Sequence, residues 1–508
     1  MCACPSASSG AERVDSLLQA LSQLTSLAVI AAAFGGVLWG IFGGALPGIS
    51  PSIAMALLLP FTVGMDPTTA LVLLASVYVG AEYGGSIPAI LIRTPGTNSA
   101  SATVTDGYAM AQQGRAGEAL GISLMSGLWG GLFGLAVLVL CTESLARLAL
   151  AFTPAAYFSL GVLGLSVIAG LSGGSLLKGV IAAAIGLMIA FIGSDPVSGV
   201  SRFTFGSADL LGGVKPILVM VGLFAVTEML VQITEPAWAK ANKSEARLKL
   251  PNWTMSKRLF KPQAIGAVVG TIEGVTPGAG GTIAAFMAYS EAKRWSNKPE
   301  EFGHGSPEGI AAPECANNVV TATALVPLLS LGIPGSNSAA ILLGGFLIHG
   351  LQPGPMLFAK APEVVYGLYG GLFIANIAML LIGMVILSPC IWLVNRPKPY
   401  LIAAILALVM SGVYAIHQSF FEIFLVIGIG VLGYAMRWLK LPVLPLVLGL
   451  VLGYLVESNY RRSLLISGGD AMIFVTDKVS LALLLLALLL TGYTAWKEFF
   501  SSKGKRDG

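Results

Sequence analysis

Two short stretches, Pro95-Gly-Thr-Asn-Ser-Ala-Ser101 and Pro334-Gly-Ser-Asn-Ser-Ala-Ala340, decide how this chain is read. They share five of seven residues and exchange Thr97 for the like hydroxyl Ser336. Each interrupts an apolar run. Proline removes a backbone donor and glycine weakens helix, so each stretch predicts a helix that stops and restarts. Pro-Gly alone is common in a chain with 27 Pro and 63 Gly; the shared Asn-Ser neighbours carry the match. Upstream, Gly44-Ala-Leu-Pro-Gly48 matches Gly274-Val-Thr-Pro-Gly278, and Glu82 matches Glu314. The offsets grow from 230 through 232 to 239, as small insertions would produce. The chain reads as one unit used twice.

The surroundings of these turns are lipid-like. Of 508 residues 55% are hydrophobic and 11% charged, where a soluble chain carries about 25% charged residues. Mean hydropathy is +0.82. Apolar runs recur from Thr25 to Phe500, room for about a dozen passes of ~20 residues. The expected fold is an all-α polytopic membrane protein, with about a dozen transmembrane helices, two re-entrant hairpins, two inverted structural repeats, and elevator-like transport and scaffold regions. Its parts would be an N-terminal segment (1–25), a first repeat with hairpin and broken helix (26–141), scaffold helices (142–231), a basic cytoplasmic loop (232–263), a second such repeat (264–365), scaffold helices (366–498) and a cytoplasmic tail (499–508).

Several function classes fall away. The 29 basic and 25 acidic residues give a net charge of +4, and the basic ones fall in short loops rather than on one face, which argues against nucleic-acid binding. No GxxxxGK[ST] loop or HExxH motif occurs, so a built-in ATPase or zinc protease is not indicated. Gly170-Leu-Ser-Gly-Gly174 joins two apolar helical segments rather than a strand and a helix, the wrong setting for a nucleophile elbow. Cys2, Cys4, Cys141, Cys315 and Cys390 lack metal-ligand spacing and read as unpaired thiols. The first 25 residues, with Arg13 as their one basic residue, predict no cleaved signal.

Charge suggests orientation. Residues 232–263 carry seven Lys or Arg against Glu235 and Glu245 and so are cytoplasmic by the positive-inside rule. The apolar stretch Ala264–Thr276 would rise only about 20 Å as a helix, short of the hydrocarbon core, and a second short stretch ends at Lys293 and Arg294. A hairpin with both ends cytoplasmic is expected. The equivalent hairpin runs from Leu27 to Gly64 around Pro47-Gly-Ile-Ser-Pro51, and no basic residue lies between Arg13 and Arg93. Its ends read as extracytoplasmic, the sign of repeats inserted upside down.

Irregular backbone inside a bilayer survives only where protein, water or a ligand satisfies it. After each break the new helix offers free N–H groups, and nearby hydroxyl and amide groups add short donors, which suits a carboxylate. Taken singly, Thr97, Asn98, Ser99, Ser336, Asn337 and Ser338 are ordinary helix caps; taken as a duplicated pair of breaks they point to substrate binding. Ser50, Ser52, Thr276, Gly278, Gly280 and Gly281 are the matching hairpin candidates. Carbonyls and carboxylates beside the breaks suit a coupling ion, sodium or a proton, with Pro47, Gly48, Glu82, Glu273, Pro277, Glu314, Asn317 and Asn318 as candidates. Arg93 could draw an anion or snorkel to an interface. His349 and His417 read as hydrogen-bonded core residues, and Trp438 and Trp496 as interfacial anchors.

The runs GALPGISPSIAMALLLPF (44–61), YGGSIPAILIRTPGTNSASATVTDGY (83–108), EGVTPGAGGTIAAF (273–286) and PECANNVVTATALVPLLSLGIPGSNSAAILLGGFLIHGLQPGP (313–355) resemble the large membrane subunit of bacterial tripartite tricarboxylate transporters, the TctA type, over about residues 25–440. The resemblance implies a bacterial inner-membrane permease working with a small TctB-type membrane subunit and a periplasmic TctC-type solute-binding protein. Sodium or a proton would drive uptake of tricarboxylates or related carboxylates. The rival readings are an ion channel and an intramembrane hydrolase.

Overall fold

The computed structural model describes residues 26–46, 48–149, 152–171, 175–195, 200–234, 247–276, 280–394 and 398–503. Helix dominates, because a segment in lipid must satisfy its own backbone polar groups. In chain order the helices are α1 (Leu27–Ala45), α2 (Pro51–Leu58), α3 (Pro67–Ile92), α4 (Ser101–Gln112), α5 (Ala116–Ala149), α6 (Pro154–Leu171), α7 (Leu176–Ala190), α8 (Pro216–Thr234, with a π-helical stretch over Val221–Val226), α9 (Trp253–Val275), α10 (Gly280–Trp295), α11 (Glu308–Thr323), α12 (Leu325–Leu331), α13 (Asn337–Ile348), α14 (Leu357–Lys360), α15 (Pro362–Val385), α16 (Leu387–Val394), α17 (Lys398–His417), α18 (Phe420–Trp438), α19 (Val443–Ile466), α20 (Ile473–Thr476) and α21 (Lys478–Lys503). Among the described residues β1 (Gly193–Ser194) and β2 (Ser201–Arg202) form one short antiparallel ladder. Eight described helices are long and apolar enough to cross a membrane, and five shorter apolar ones accompany them. The protein is an all-α polytopic membrane protein.

The described residues form two compact units, one within 26–146, 247–276 and 280–403, the other within 147–234 and 404–503. In the first unit α1 lies against α3 at a distance only glycine permits. A Cβ on Gly36, Gly40 or Gly44 would come within 2.5, 2.3 and 2.1 Å of the carbonyl oxygens of Leu73, Val77 and Ala81. α9 meets α11 the same way: a Cβ on Gly266 or Gly270 would lie 2.4 or 2.5 Å from the Ala312 or Ala316 carbonyl oxygen. Small residues at every fourth position let two backbones touch, the common packing device in membranes.

The breaks repeat this correspondence. Gly96 sits on the Gly44 carbonyl and donates its N–H to Gly85 O at 3.0 Å; Gly335 sits on the Gly274 carbonyl and donates to Ala324 O at 3.3 Å. Arg93 and Gly332, the residues ending α3 and α12, are both left-handed, with φ of 58° and 76°. These contacts keep the offset of 239 throughout α3 and α11, which corrects one match: Glu82 shares its register with Thr321, and Glu314 shares its own with Ala75. The two glutamates are like letters at unlike positions.

Both hairpins fold back. Trp39 Nε1 donates to Ala54 O at 2.9 Å between α1 and α2, and Lys261 Nζ donates to Trp295 O between α9 and α10. The second hairpin differs from expectation in its first arm. α9 begins at Trp253, capped by Asn252, and has 23 residues, about 34 Å of rise, so the shortness inferred for 264–276 does not hold. Lys257, Arg258, Lys261 and Pro262 lie inside the helix. Each hairpin's second arm packs on the other half's broken helix: α2 on α13, and α10 on α4.

In the second unit α19 packs on α7 and α6, α21 on α6, and α18 on α8. Thr153 bonds Asp477 at 2.8 Å, joining the starts of α6 and α21. Lys178 reaches Leu439 O at 2.7 Å and Arg437 pairs with Glu228 at 2.6 Å. Asp195, Arg202, Glu457 and Arg461 form a separate ion-pair cluster with contacts of 2.8–3.3 Å.

Candidate functional site

The first unit holds two buried carboxylates, Glu82 on α3 and Glu314 on α11, at 5% and 2% exposure. Glu82 Oε2 accepts from Ser99 Oγ at 2.8 Å and Asn317 Nδ2 at 2.9 Å. The Thr97 and Ser99 hydroxyls lie 3.1 Å apart, and Thr97 Oγ1 accepts from Ala100 N, the residue just before the restarted helix. Glu314 accepts from Thr103 at 2.5 Å and Ser123 at 3.1 Å, one hydroxyl on each oxygen. Through Ser99 and Thr103 the two acids hold the start of α4 one turn apart.

The second break is tied to the first by a single turn of α3. Tyr78 OH lies 3.3 Å from Ser336 Oγ, and Ser336 caps α13 by accepting from Ala339 N at 3.1 Å. One turn on from Tyr78 stands Glu82, with Ser99 and Thr97 beyond it. At both breaks the same alternation recurs: Thr97, Ser99, Ser336 and Ser338 are buried, whereas Asn98 and Asn337 between them are exposed. The buried hydroxyls fasten each turn and the asparagine faces outward.

The remaining candidates are spread around these turns. Ser50 caps α2, accepting from Ile53 N, and lies 2.9 Å from the hydroxyl of buried Ser52. Gly48 and Gly280 have φ of 87° and 69°, the left-handed backbone a break requires. Thr276 donates back to Ile272 O at 2.7 Å and half-buried Glu273 stands in the last turn of α9. Gly281 lies against Asn317 and near Ser99. Asn318 Nδ2 donates to Glu314 O at 2.9 Å. Pro47, Pro277 and Gly278 lie outside the described residues, as do Cys2, Cys4, Ser172 and residues 1–25, 235–246 and 504–508.

Other residues fall where their chemistry leads. Arg93 is exposed, its guanidinium 5.9 Å from the Tyr108 ring centre. His349 sets Nδ1 2.8 Å from Gly345 O and Nε2 3.1 Å from Thr62 O; the His417 side chain is outside the described set. Cys141, Cys315 and Cys390 are free thiols. Trp438 and Trp496 are exposed. Among the described residues no three His, Cys, Asp or Glu side chains gather as a metal site.

One residue of consequence lacked any sequence signal. Asp106, wholly buried on α4, accepts from the N–H groups of Gly303, Gly305 and Ser306 at 2.8–2.9 Å and from Tyr289 OH at 2.8 Å. It moors α4 to the loop before α11. Tyr78, Thr103 and Ser123 were equally invisible, since their partners lie 191 to 258 residues away.

Family comparison matches residues 30–448 to the tripartite tricarboxylate transporter TctA family. The chain belongs to the TctA family. An uncharacterized 52.8 kDa protein in the TAR-I ttuC' 3' region of Agrobacterium vitis is 37% identical to this TctA protein over 459 residues, covering 90% of this chain and 91% of its relative. A second Agrobacterium vitis protein, from the TAR-II ttuC' 3' region, is 37% identical over 220 residues, covering 43% of this chain and 91% of that one. No solved structure matches. As a TctA protein the chain is the large membrane subunit of a tricarboxylate transporter, and its broken helices are the transport-protein feature that fits.

Proposed function

We propose that the protein carries tricarboxylates or related carboxylates into the cell, driven by a sodium or proton gradient, with substrate bound between Asn98 and Asn337. The linkage of the two breaks through Tyr78 and Glu82 supports this most directly, because it fastens two turns, each with an exposed asparagine and a fresh helix N-terminus, to α3 one helical turn apart. The hairpin candidates Ser50, Ser52, Thr276, Gly278, Gly280 and Gly281 complete the binding surface. Glu82, Glu273, Glu314, Asn317 and Asn318, with the backbone at Pro47, Gly48 and Pro277, serve the coupling ion. A TctC-type binding protein delivers substrate and a TctB-type subunit completes the complex in the bacterial inner membrane.

The recurring glycine contacts and the exchanged hairpin arms support two repeats. Basic groups at both ends of the second hairpin and none around the first support their inversion. The elevator reading follows, with 26–141 and 264–365 as the moving part and 142–231 and 366–498 as scaffold. Proteoliposomes test the function: saturable accumulation of citrate or a related carboxylate that collapses with the ion gradient and requires the binding protein is expected. Current without accumulation would make the protein a channel and overturn the proposal.

A further inference from the structure

Asn317 carries a buried oxygen that no described residue bonds. The residue is 2% exposed; its Nδ2 donates to Glu82, and its Oδ1 has no hydrogen-bond partner among the described residues. Leaving such an acceptor bare is costly, and one beside a buried carboxylate is a place where an ion would be accommodated. Three more oxygen-bearing side chains are linked to Asn317 in a chain of hydrogen bonds: the Glu82 carboxylate, which accepts from Asn317 Nδ2, Ser99 Oγ 2.8 Å from that carboxylate, and Thr97 Oγ1 3.1 Å from Ser99 Oγ. Gly281 leaves the place open, since a Cβ there would be 2.5 Å from Asn317 Oδ1 and 3.9 Å from Ser99 Cβ. The groups bonded to Glu82, a hydroxyl and an amide, are neutral.

We propose that Glu82, Thr97, Ser99 and Asn317 bind one sodium-sized monovalent cation. Carboxylate, hydroxyl and amide oxygens are the donors a hard cation prefers. One carboxylate balances a single positive charge, whereas a divalent ion would leave an excess charge where burial is costly. The second break lacks the means to do the same. In the matching register Thr321 replaces Glu82 and donates to Asn318 O at 2.6 Å, and Tyr78 replaces Asn317 and bonds Ser336. Among the described residues, the matched register therefore carries this charged set of ligands at the first break and not at the second. Its ligands Thr97 and Ser99 flank Asn98, so a cation on the buried side of the turn orders the exposed side that meets substrate, giving the linkage between two ligands that a symporter needs. Use of the cation rests on the carrier reading above; its binding does not.

The test measures binding directly. Purified protein in nanodiscs is heated in sodium chloride exchanged for choline chloride at constant ionic strength, and radioactive sodium is counted per chain. The melting temperature is expected to rise and saturate with sodium, with one sodium bound. Glu82→Gln should abolish both effects, Ser99→Ala should move the midpoint to higher sodium, and Thr321→Ser should change neither. A wild-type protein indifferent to sodium, a response that survives Glu82→Gln, or two sodium ions per chain would overturn the proposal. If Glu82→Gln does not fold, an unchanged midpoint in Ser99→Ala overturns it. Sodium binding without carboxylate uptake would instead count against the carrier reading.

Discussion

Asn98 and Asn337 occupy the same place in the two duplicated turns. Both are exposed while their neighbours are buried, and substitution of exposed side chains usually shifts stability by less than about 0.5 kcal/mol. Asn98→Ala and Asn337→Ala should therefore yield folded protein with strongly reduced carboxylate uptake, read by proteoliposome assay beside a melting curve. Asp106 is the opposite case. Its carboxylate satisfies three backbone N–H groups and a tyrosine hydroxyl, and Asp106→Ala strands those donors, at a cost of roughly 3 kcal/mol, visible as a lower melting temperature. The asparagines could be found in the sequence because their whole turn is duplicated. Asp106 could not, because Gly303, Gly305 and Ser306 become its partners only when the chain has folded. Glu82 and Glu314 misled as a matched pair because a lone shared letter does not fix a register, whereas the Gly85–Gly96 and Ala324–Gly335 hydrogen bonds do.

Among elements, the α1–α3 and α9–α11 contacts depend on having no side chain at set places. Gly40→Ala or Gly270→Ala would force a methyl into a backbone carbonyl, and overpacking of this kind costs roughly 2 kcal/mol. Gly35→Ala, which meets nothing within 4 Å, should be neutral or better in the same thermal assay. The loop after α10 has a pH limit. Hydrogen bonds from Lys298 and Arg258 hold the Glu301 carboxyl below the usual carboxylate range. A depressed carboxylate stabilises the fold above its ordinary value, about 4.3, and loses that contribution as pH falls through the depressed value. Amide exchange at 302–306 should be slow at neutral pH and faster below about pH 4, beyond the change in intrinsic rate. Helix positions were legible from apolar runs. The start of α9 was not, because Lys257, Arg258, Lys261 and Pro262 look like a loop until Asn252 is seen to cap the helix.

For the whole molecule, the proposed inversion of the repeats makes a prediction about sidedness. Single cysteines at Asp66 and Lys298, each just outside a hairpin's second arm, should react with impermeant reagent from opposite faces of the membrane; labelling of both from one face would remove the inversion. The crossing of hairpin arms between halves has a further cost during synthesis. While the ribosome is still reading the first half, α2 has no α13 to lie on and Glu82 has no Asn317. The nascent chain must wait beside the translocon with that carboxylate holding Ser99 but short of its second partner, in or near lipid. Its insertion stays provisional until more than two hundred further residues have been made.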